Sequence, residues 1–268
     1  MSGGSSKPYV IGYEEEHERL ERQARIGRID KHLEKFSCRA NASVLDAGCG
    51  SGSMSRLLAN AAPNGHVVGV DTNDDYLQNA RRIAEADGLK NVEFKTGDIF
   101  ALPFDDDSFD LVWCKYVFQW VNNPSLAIRE FCRVTRPGGK IVCCNFDGFG
   151  VTHYPVDTKL REDSERFFHH VVDPFVGRKT HAMFRENGLI DIKVDFEPDA
   201  TFTVCGPIDE ERRANWVDQL TAAFPAAVTV FGSEEKAQSF IDRFLAHHED
   251  PDTSTLCTLY FVEGTVPE

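Results

Sequence analysis

The segment Val44-Leu45-Asp46-Ala47-Gly48-Cys49-Gly50-Ser51-Gly52 holds the clearest chemistry in the chain. An apolar run enters three alternating glycines and then a helix-forming stretch. Without Cβ atoms, such a loop lets backbone N–H groups approach a ligand that side chains would hold off. In open α/β sheets ligands bind at this place, the carboxyl edge of the strands. The spacing narrows the choice of ligand. A dinucleotide fingerprint needs glycine at position 53, where Ser53 stands, and a Walker-type phosphate loop needs a Gly-Lys-Ser/Thr that is missing. The loop also has no cation to offset a pyrophosphate.

Two acids extend the pattern. Asp71 closes the second apolar run, 21 positions after Gly50. A carboxylate there can accept from both hydroxyls of a ribose. Gly97-Asp98-Ile99 closes the third run, where Asp98 can accept from an exocyclic adenine amine while Ile99 covers the ring. Singly, a glycine triplet is a tight turn and an Asp at a helix start is an N-cap. Their order at the ends of successive strands is what points to a nucleoside site.

The elements that must position these residues follow from periodicity. A charged amphipathic helix is predicted over Glu14–Phe36. After it come strands at Ser43–Ala47, Val67–Val70, Val92–Lys95, Phe109–Cys114 and Lys140–Asn145, with helices at Met54–Ala61, Asp74–Ala86 and Leu126–Thr135 between them. Strands alternating with helices of this kind imply a parallel sheet covered on both faces, and the nearly unbroken apolar strands agree. Arg136-Pro137-Gly138-Gly139 punctuates the last of these helices. Beyond Asp147 the pattern loosens. Helices are expected at Lys159–Val172, Thr180–Asn187, Glu210–Phe224 and Glu234–His247, and strands at Ile190–Phe196 and Thr255–Val262.

Composition excludes some functions. The formal net charge of -14 over 268 residues argues against a general nucleic-acid binder, which needs a basic face. None of the eight cysteines forms a C-x-x-C pair, and no Cys/His spacing suits zinc, so no metal is expected. The thiols read as reduced and mostly buried. Cys143 and Cys144, adjacent on a strand, should face opposite ways. The Gly/Ser-rich start shows no secretory signal, and no apolar run is long enough for a bilayer, so no membrane partner and a cytoplasmic location are expected.

Residues 43 to 145 resemble the class I S-adenosylmethionine-dependent methyltransferases. Asp46-Ala47-Gly48-Cys49-Gly50-Ser51-Gly52 resembles that family's first motif, Asp71 its ribose acid and Asp98 its adenine contact. Leu102-Pro103-Phe104 with Ser108-Phe109-Asp110 resembles the approach to the fourth strand, and Arg136-Pro137-Gly138-Gly139 the turn before the fifth. The resemblance is to the small-molecule branch, the ubiquinone, menaquinone and natural-product methyltransferases. It implies a Rossmann-like, doubly wound, mostly parallel seven-stranded sheet with an antiparallel last strand, an N-terminal helix and a helical substrate cover. The implied division is a tail and cofactor-covering helix at 1–37, a cofactor-binding core at 38–147, a substrate cover at 148–188, and completion of the sheet with inserted helices at 189–268.

It also implies S-adenosyl-L-methionine as cofactor and S-adenosyl-L-homocysteine as product. The cofactor residues carried over are Gly48, Cys49, Gly50, Asp71, Thr72, Asp98 and Ile99, with Lys115 and Tyr116 after the fourth strand and Tyr13 and Gln23 from the leader. Gln119 stands where family members often carry His, which puts a base at that position in doubt. The aromatic stretch between Phe146 and Phe175 would suit an apolar or ring-containing acceptor, and Phe149, Tyr154, Phe168 and Phe175 are its candidate contacts. His153, soon after the fifth strand, is the candidate base. The expected reaction is methylation of an O or C atom of a small, hydrophobic or aromatic metabolite; a homodimer is compatible with it. Protein or RNA methylation, and a non-catalytic nucleoside-binding domain, are the alternatives.

Overall fold

A computed structural model describes residues 16–268. Its centre is a seven-stranded sheet. β1 (Ser43–Ala47), β2 (His66–Asp71), β3 (Val92–Thr96), β4 (Phe109–Lys115) and β5 (Thr135–Asp147) run parallel, in the order β3-β2-β1-β4-β5. β10 (Thr258–Thr265) then pairs antiparallel with β5 on one side and with β7 (Ile190–Pro198) on the other. The order reverses at β1, so the crevice between β1 and β4 is a topological switch point. The sheet implied by the family resemblance is the sheet observed, including its antiparallel final strand.

Burial explains the strand sequences. Val44 and Leu45 of β1 are both fully buried and belong to different cores, one on each face of the sheet. Cys143 and Cys144 are likewise buried in opposite cores, as neighbours on a strand must be. α2 (Ser53–Ala61), α3 (Asp74–Ala86), α4 (Pro124–Val134) and α6 (Val176–Glu186) flank this sheet. α3 starts where Asn73 accepts hydrogen bonds from the N–H groups of Asp75 and Tyr76, an ordinary N-cap.

The remaining helices make a second layer. α5 (Thr158–Val171), α7 (Glu210–Ala222), α8 (Phe224–Phe231) and α9 (Glu234–Glu249) pack on one another, and α1 (Glu16–Ile26) lies on α7. This second layer is therefore assembled from stretches far apart in the chain. α6, inside 148–188, packs on β5 and β10.

Several boundaries differ from the sequence expectation. The helix expected over Glu14–Phe36 is interrupted. α1 ends at Ile26, Gly27 and Arg28 turn the chain with Arg28 at φ 49°, and a short 3-10 segment runs from Ile29 to Lys35. A Cβ on Gly27 would lie 2.9 Å from the Gln23 carbonyl oxygen, so the turn needs the glycine. β5 begins at Thr135 and carries Arg136-Pro137-Gly138-Gly139 within it as an irregularity in its pairing with β4. The last strand starts at Thr258. Ser254–Thr255 (β9) instead pairs with His153–Tyr154 (β6) and Val204–Cys205 (β8) in a small separate sheet. α8 had no sequence signal, because Phe224-Pro-Ala-Ala-Val-Thr-Val-Phe231 has no polar face to set a period.

Candidate cofactor and acceptor site

One cavity of about 560 Å³ opens at the carboxyl ends of β1 to β4. Its size falls in the range of small-molecule sites. At one end lie Gly48, Cys49, Gly50 and Ser51, then Asp71, Thr72 and Asn73, then Gly97, Asp98, Ile99 and Phe100. At the other end lie Trp113, Lys115, Tyr116, Trp120, Phe146, Phe149 and Phe202. Arg19, Leu20, Gln23 and Ala24 of α1 and Gln219 of α7 also line it.

The glycine loop has the conformation its sequence requires. Gly48, Gly50 and Gly52 sit at φ 76°, 52° and 75°. A Cβ on Gly48 would lie 2.4 Å from a Val117 methyl, so both space and backbone conformation demand glycine there. The N–H groups of Gly48 and Cys49 donate to the Val70 carbonyl, at 2.8 and 2.9 Å, tying the loop to β2. Gly50 N–H donates to Asp71 Oδ2 at 2.9 Å, and Asn73 N–H donates to Asp71 Oδ1 at 3.0 Å. Each carboxylate oxygen thus keeps acceptor capacity for a ligand hydroxyl. Asp98 accepts from Phe100 N–H at 3.0 Å, which fixes the turn that carries Ile99 against the cavity.

The electrostatics of this end are distinctive. Asp46 is buried and accepts from the Ser55 hydroxyl at 2.5 Å; burial first, then the neighbouring Asp71 charge, push its carboxyl up to about 7. Burial also raises the Asp71 carboxyl, against its backbone hydrogen bonds. Among the described residues neither acid has an ion-pair partner. Two crowded carboxylates with free lone pairs suit hydroxyl donors and a cationic centre, and they repel phosphates. A sulfonium nucleoside satisfies that requirement. A pyrophosphate does not.

The other end is held by aromatic packing. Tyr116 takes φ 58°, unusual for a residue with a side chain; its N–H donates to the Cys144 carbonyl and its own carbonyl accepts from Gln119 Nε2 at 2.6 Å. Its hydroxyl donates to Asp199, and burial raises the phenol well above its ordinary value, so it stays protonated. Phe146 stacks on Phe149 with centroids 4.3 Å apart, and Phe149 in turn meets Phe168, Phe202 and Trp216.

The structure brings Gln23, Gly48, Cys49, Gly50, Asp71, Thr72, Asp98, Ile99, Lys115, Tyr116 and Phe149 to one cavity. Tyr13 lies outside the described residues. The other acceptor residues expected from the sequence do not line the cavity, and the reasons are physical. Phe168 is fully packed behind Phe149, in contact with Phe167, Trp216 and Phe244. Phe175 precedes α6 and carries the Arg178 guanidinium over its ring at 4.7 Å. Tyr154 is 67% exposed, on the small outer sheet. His153 is not placed to act as a base in the cavity. Its two ring nitrogens engage Thr255 Oγ1 at 3.2 Å and the Gly150 carbonyl at 3.0 Å, and burial lowers its pKa to about 4. It fastens β6 to β9.

The stretch from Trp113 to Trp120, which the family resemblance places beside the cofactor, contributes both of its tryptophans to the cavity. Sequence reasoning missed Phe202 and Gln219 as cavity residues. Phe202 and Gln219 arrive from distant loops and helices with no local signal.

Comparison with known proteins adds to this geometry. The profile of a family described as methyltransferase domain matches residues 39–188. An uncharacterized 37.1 kDa protein in transposon TN4556 of Streptomyces fradiae is 37% identical over 145 residues, covering 54% of this chain and 41% of that protein. Demethylmenaquinone methyltransferase of Lactococcus lactis is 29% identical over 171 residues, covering 63% of this chain and 65% of that enzyme. The matches thus span between about two fifths and two thirds of these relatives' lengths. The YcgJ protein of Bacillus subtilis shares the fold, with a TM-score of 0.60 and 22% identity over 91% of this chain and 98% of that one.

Proposed function

This chain belongs to the methyltransferase-domain family of class I S-adenosylmethionine-dependent proteins, and from that premise we propose that it transfers a methyl group to an oxygen or carbon atom of a small, hydrophobic or ring-containing acceptor. The observation that carries this reading is the continuity of the cavity. Gly48, Gly50, Asp71 and Asp98 at one end share it with Tyr116, Trp120, Phe149 and Phe202 at the other. The demethylmenaquinone methyltransferase relative acts, by its name, on a quinone-type acceptor, which is consistent with an aromatic wall.

Under this reading Asp71 holds the ribose hydroxyls, Asp98 and Ile99 hold and cover the adenine, and Gly48, Cys49 and Gly50 offer backbone to the remainder. Gln23 closes the site from α1. The bound cofactor supplies a methyl group already activated by the positive sulfur. The protein's work is alignment of the acceptor and exclusion of water, which can replace a dedicated catalytic constellation. Asp46 and Asp71 favour a positive charge at the loop, and the aromatic wall orders an apolar acceptor beside it. Among the described residues no group of His, Cys, Asp and Glu is arranged to hold a metal ion, and no helix is long and apolar enough to cross a membrane.

The test joins binding to turnover. Calorimetry should give one tight site for S-adenosylhomocysteine, and a metabolite panel incubated with S-adenosylmethionine should release S-adenosylhomocysteine with apolar aromatic or quinone-like members. Binding with turnover only on protein or RNA would overturn the small-acceptor assignment. Binding without turnover on any class would favour a nucleoside-binding domain. Absence of binding would overturn the cofactor assignment itself.

A further inference from the structure

Trp113 and Lys115 are two apart on β4, so their side chains leave the same face of the strand, and both line the cavity at its aromatic end. The Lys115 ammonium lies over the Tyr116 ring at 4.3 Å. Among the described residues it has no carboxylate within ion-pairing distance, and the carboxylates that reach it electrostatically are all engaged elsewhere. Asp199 accepts from the Tyr116 hydroxyl and from the N–H groups of Thr201 and Phe202. Glu197 is paired with Lys35 at 2.8 Å. Asp46 is held by Ser55. Burial lowers the Lys115 pKa, and those three acids only partly restore it.

Two neighbours share this condition. Among the described residues the fully buried Trp113 indole N–H has no partner, and the Gln119 side chain, also buried, has one amide atom unpartnered while the other binds the Tyr116 carbonyl. Buried polar atoms are costly without partners, so these two atoms, lining a ligand cavity together with the half-buried Lys115 ammonium, are best explained by a ligand. Their chemistry is mostly that of donors, and one is a cation.

We propose that Lys115, with the Trp113 N–H beside it, recognises an anionic oxygen carried by the acceptor, so that the substrate class is an apolar or aromatic molecule bearing a carboxylate, phenolate or enolate. The inference rests on the methyltransferase reading above. It takes Lys115 away from the cofactor set that the family resemblance implied, because its ammonium lies over the Tyr116 ring and, besides Asp46, the acids that reach it are Asp199 and Glu197. An anion there gives Lys115 the counter-charge that the described residues withhold, and it orients the acceptor with one end pinned and its ring on Phe149 and Phe202. For a phenolate or enolate acceptor the same ammonium keeps the nucleophilic oxygen ionised, without a general base.

The experiment uses the full chain saturated with S-adenosylhomocysteine, in wild-type, Lys115→Met and Lys115→Arg forms, each checked by thermal melting. Calorimetry compares benzoate with benzamide and 1-naphthoate with 1-naphthamide, and absorbance follows the ionisation of added 4-nitrophenol. Wild type should prefer carboxylate over amide by about tenfold or more, Lys115→Met should reduce this to below about threefold, and Lys115→Arg should restore most of it. Bound 4-nitrophenol should ionise at lower pH in wild type than in Lys115→Met; if only it responds, the anion is a phenolate or enolate. If Lys115→Met keeps the wild-type carboxylate and phenolate behaviour, including no preference in either protein, the proposal is overturned. A drop of about tenfold in S-adenosylhomocysteine affinity in Lys115→Met would also overturn it, by returning Lys115 to the cofactor. Wild-type protein that binds no S-adenosylhomocysteine at all would instead sink the methyltransferase reading beneath it.

Discussion

The two ends of the cavity are built by different physics. The end at Gly48, Gly50, Asp71 and Asp98 is backbone and carboxylate, held by hydrogen bonds to backbone within and between the strand ends: Gly50 to Asp71, Cys49 to Val70, Phe100 to Asp98. The end at Tyr116, Phe149 and Phe202 is aromatic surface, held by a ring cluster centred on Trp216 that joins α5, α7 and α9. Hydrogen bonds to fixed backbone specify one ligand closely. Packed rings specify a volume and tolerate a range of occupants. A shared donor of a common chemical group needs the first kind of site, and an acceptor that differs between enzymes needs the second.

The contrast can be broken most sharply at Trp216. It is 1% exposed and touches Phe149, Phe168, Phe202, Phe244 and His248, so Trp216→Ala should cost about 3–5 kcal/mol of stability. Urea denaturation measures the loss. S-adenosylhomocysteine affinity of the protein that remains folded should change less than about threefold, since the carboxylate end does not lean on this ring; a parallel collapse of affinity would show that the two ends are not independent.

The buried acid behind the glycine loop and the histidine of the small outer sheet differ in the sign of their pH response. His153 has its pKa lowered to about 4 in the fold, so between about 6.5 and 4 the unfolded chain binds the extra proton. The stability this group contributes is whole above its unfolded pKa and is lost as pH falls through that window, by about 3 kcal/mol. Asp46 behaves oppositely. Its carboxyl is raised to about 7, so its contribution is whole below its unfolded value near 3.8 and is lost as pH rises through 7. Denaturation curves from pH 4 to 7.5 should therefore flatten on the acid side in His153→Gln and on the neutral side in Asp46→Asn. If both variants shift the same limb, the assignment of opposite signs fails.

Asp71→Ala sharpens the comparison from the other end. It removes the partner of Gly50 and, on the proposed reading, the acceptor for ribose hydroxyls, and should weaken S-adenosylhomocysteine binding at least about tenfold, about 1.4 kcal/mol. Binding of 1-naphthoate should stay within about twofold. Unchanged calorimetric affinity for the nucleoside would remove Asp71 from the ribose.

Much of the carboxylate end was legible in the sequence because it is local. Each strand presents its acid or its glycines at its own carboxyl end, so order along the chain maps directly to position on the sheet edge. Adding the family resemblance was enough to expect the seven-stranded sheet. The aromatic end is not local. Phe149 was expected and lines the cavity, yet Phe168, with the same composition and neighbourhood, lies one layer behind it. Nothing in one sequence distinguishes a wall from the layer supporting it, since both are apolar and both are buried. Gln219 and Phe202 enter through tertiary contacts between α1, α7 and the strands. His153 was attractive for its position after the fifth strand, but its register in the β6–β9 pair decided its role.

The helix that closes the cavity is fastened chiefly at its polar surface. Arg22 of α1 is paired with Asp218, Arg25 with Glu211, and Glu21 with both Ser53 and Arg56 beside the glycine loop. These ties are partly exposed, so dissolved ions weaken them while leaving the ring cluster untouched. The roof and the floor of the same chamber therefore answer to different solutes. Added salt therefore loosens the α1 side of the chamber before it touches the aromatic side.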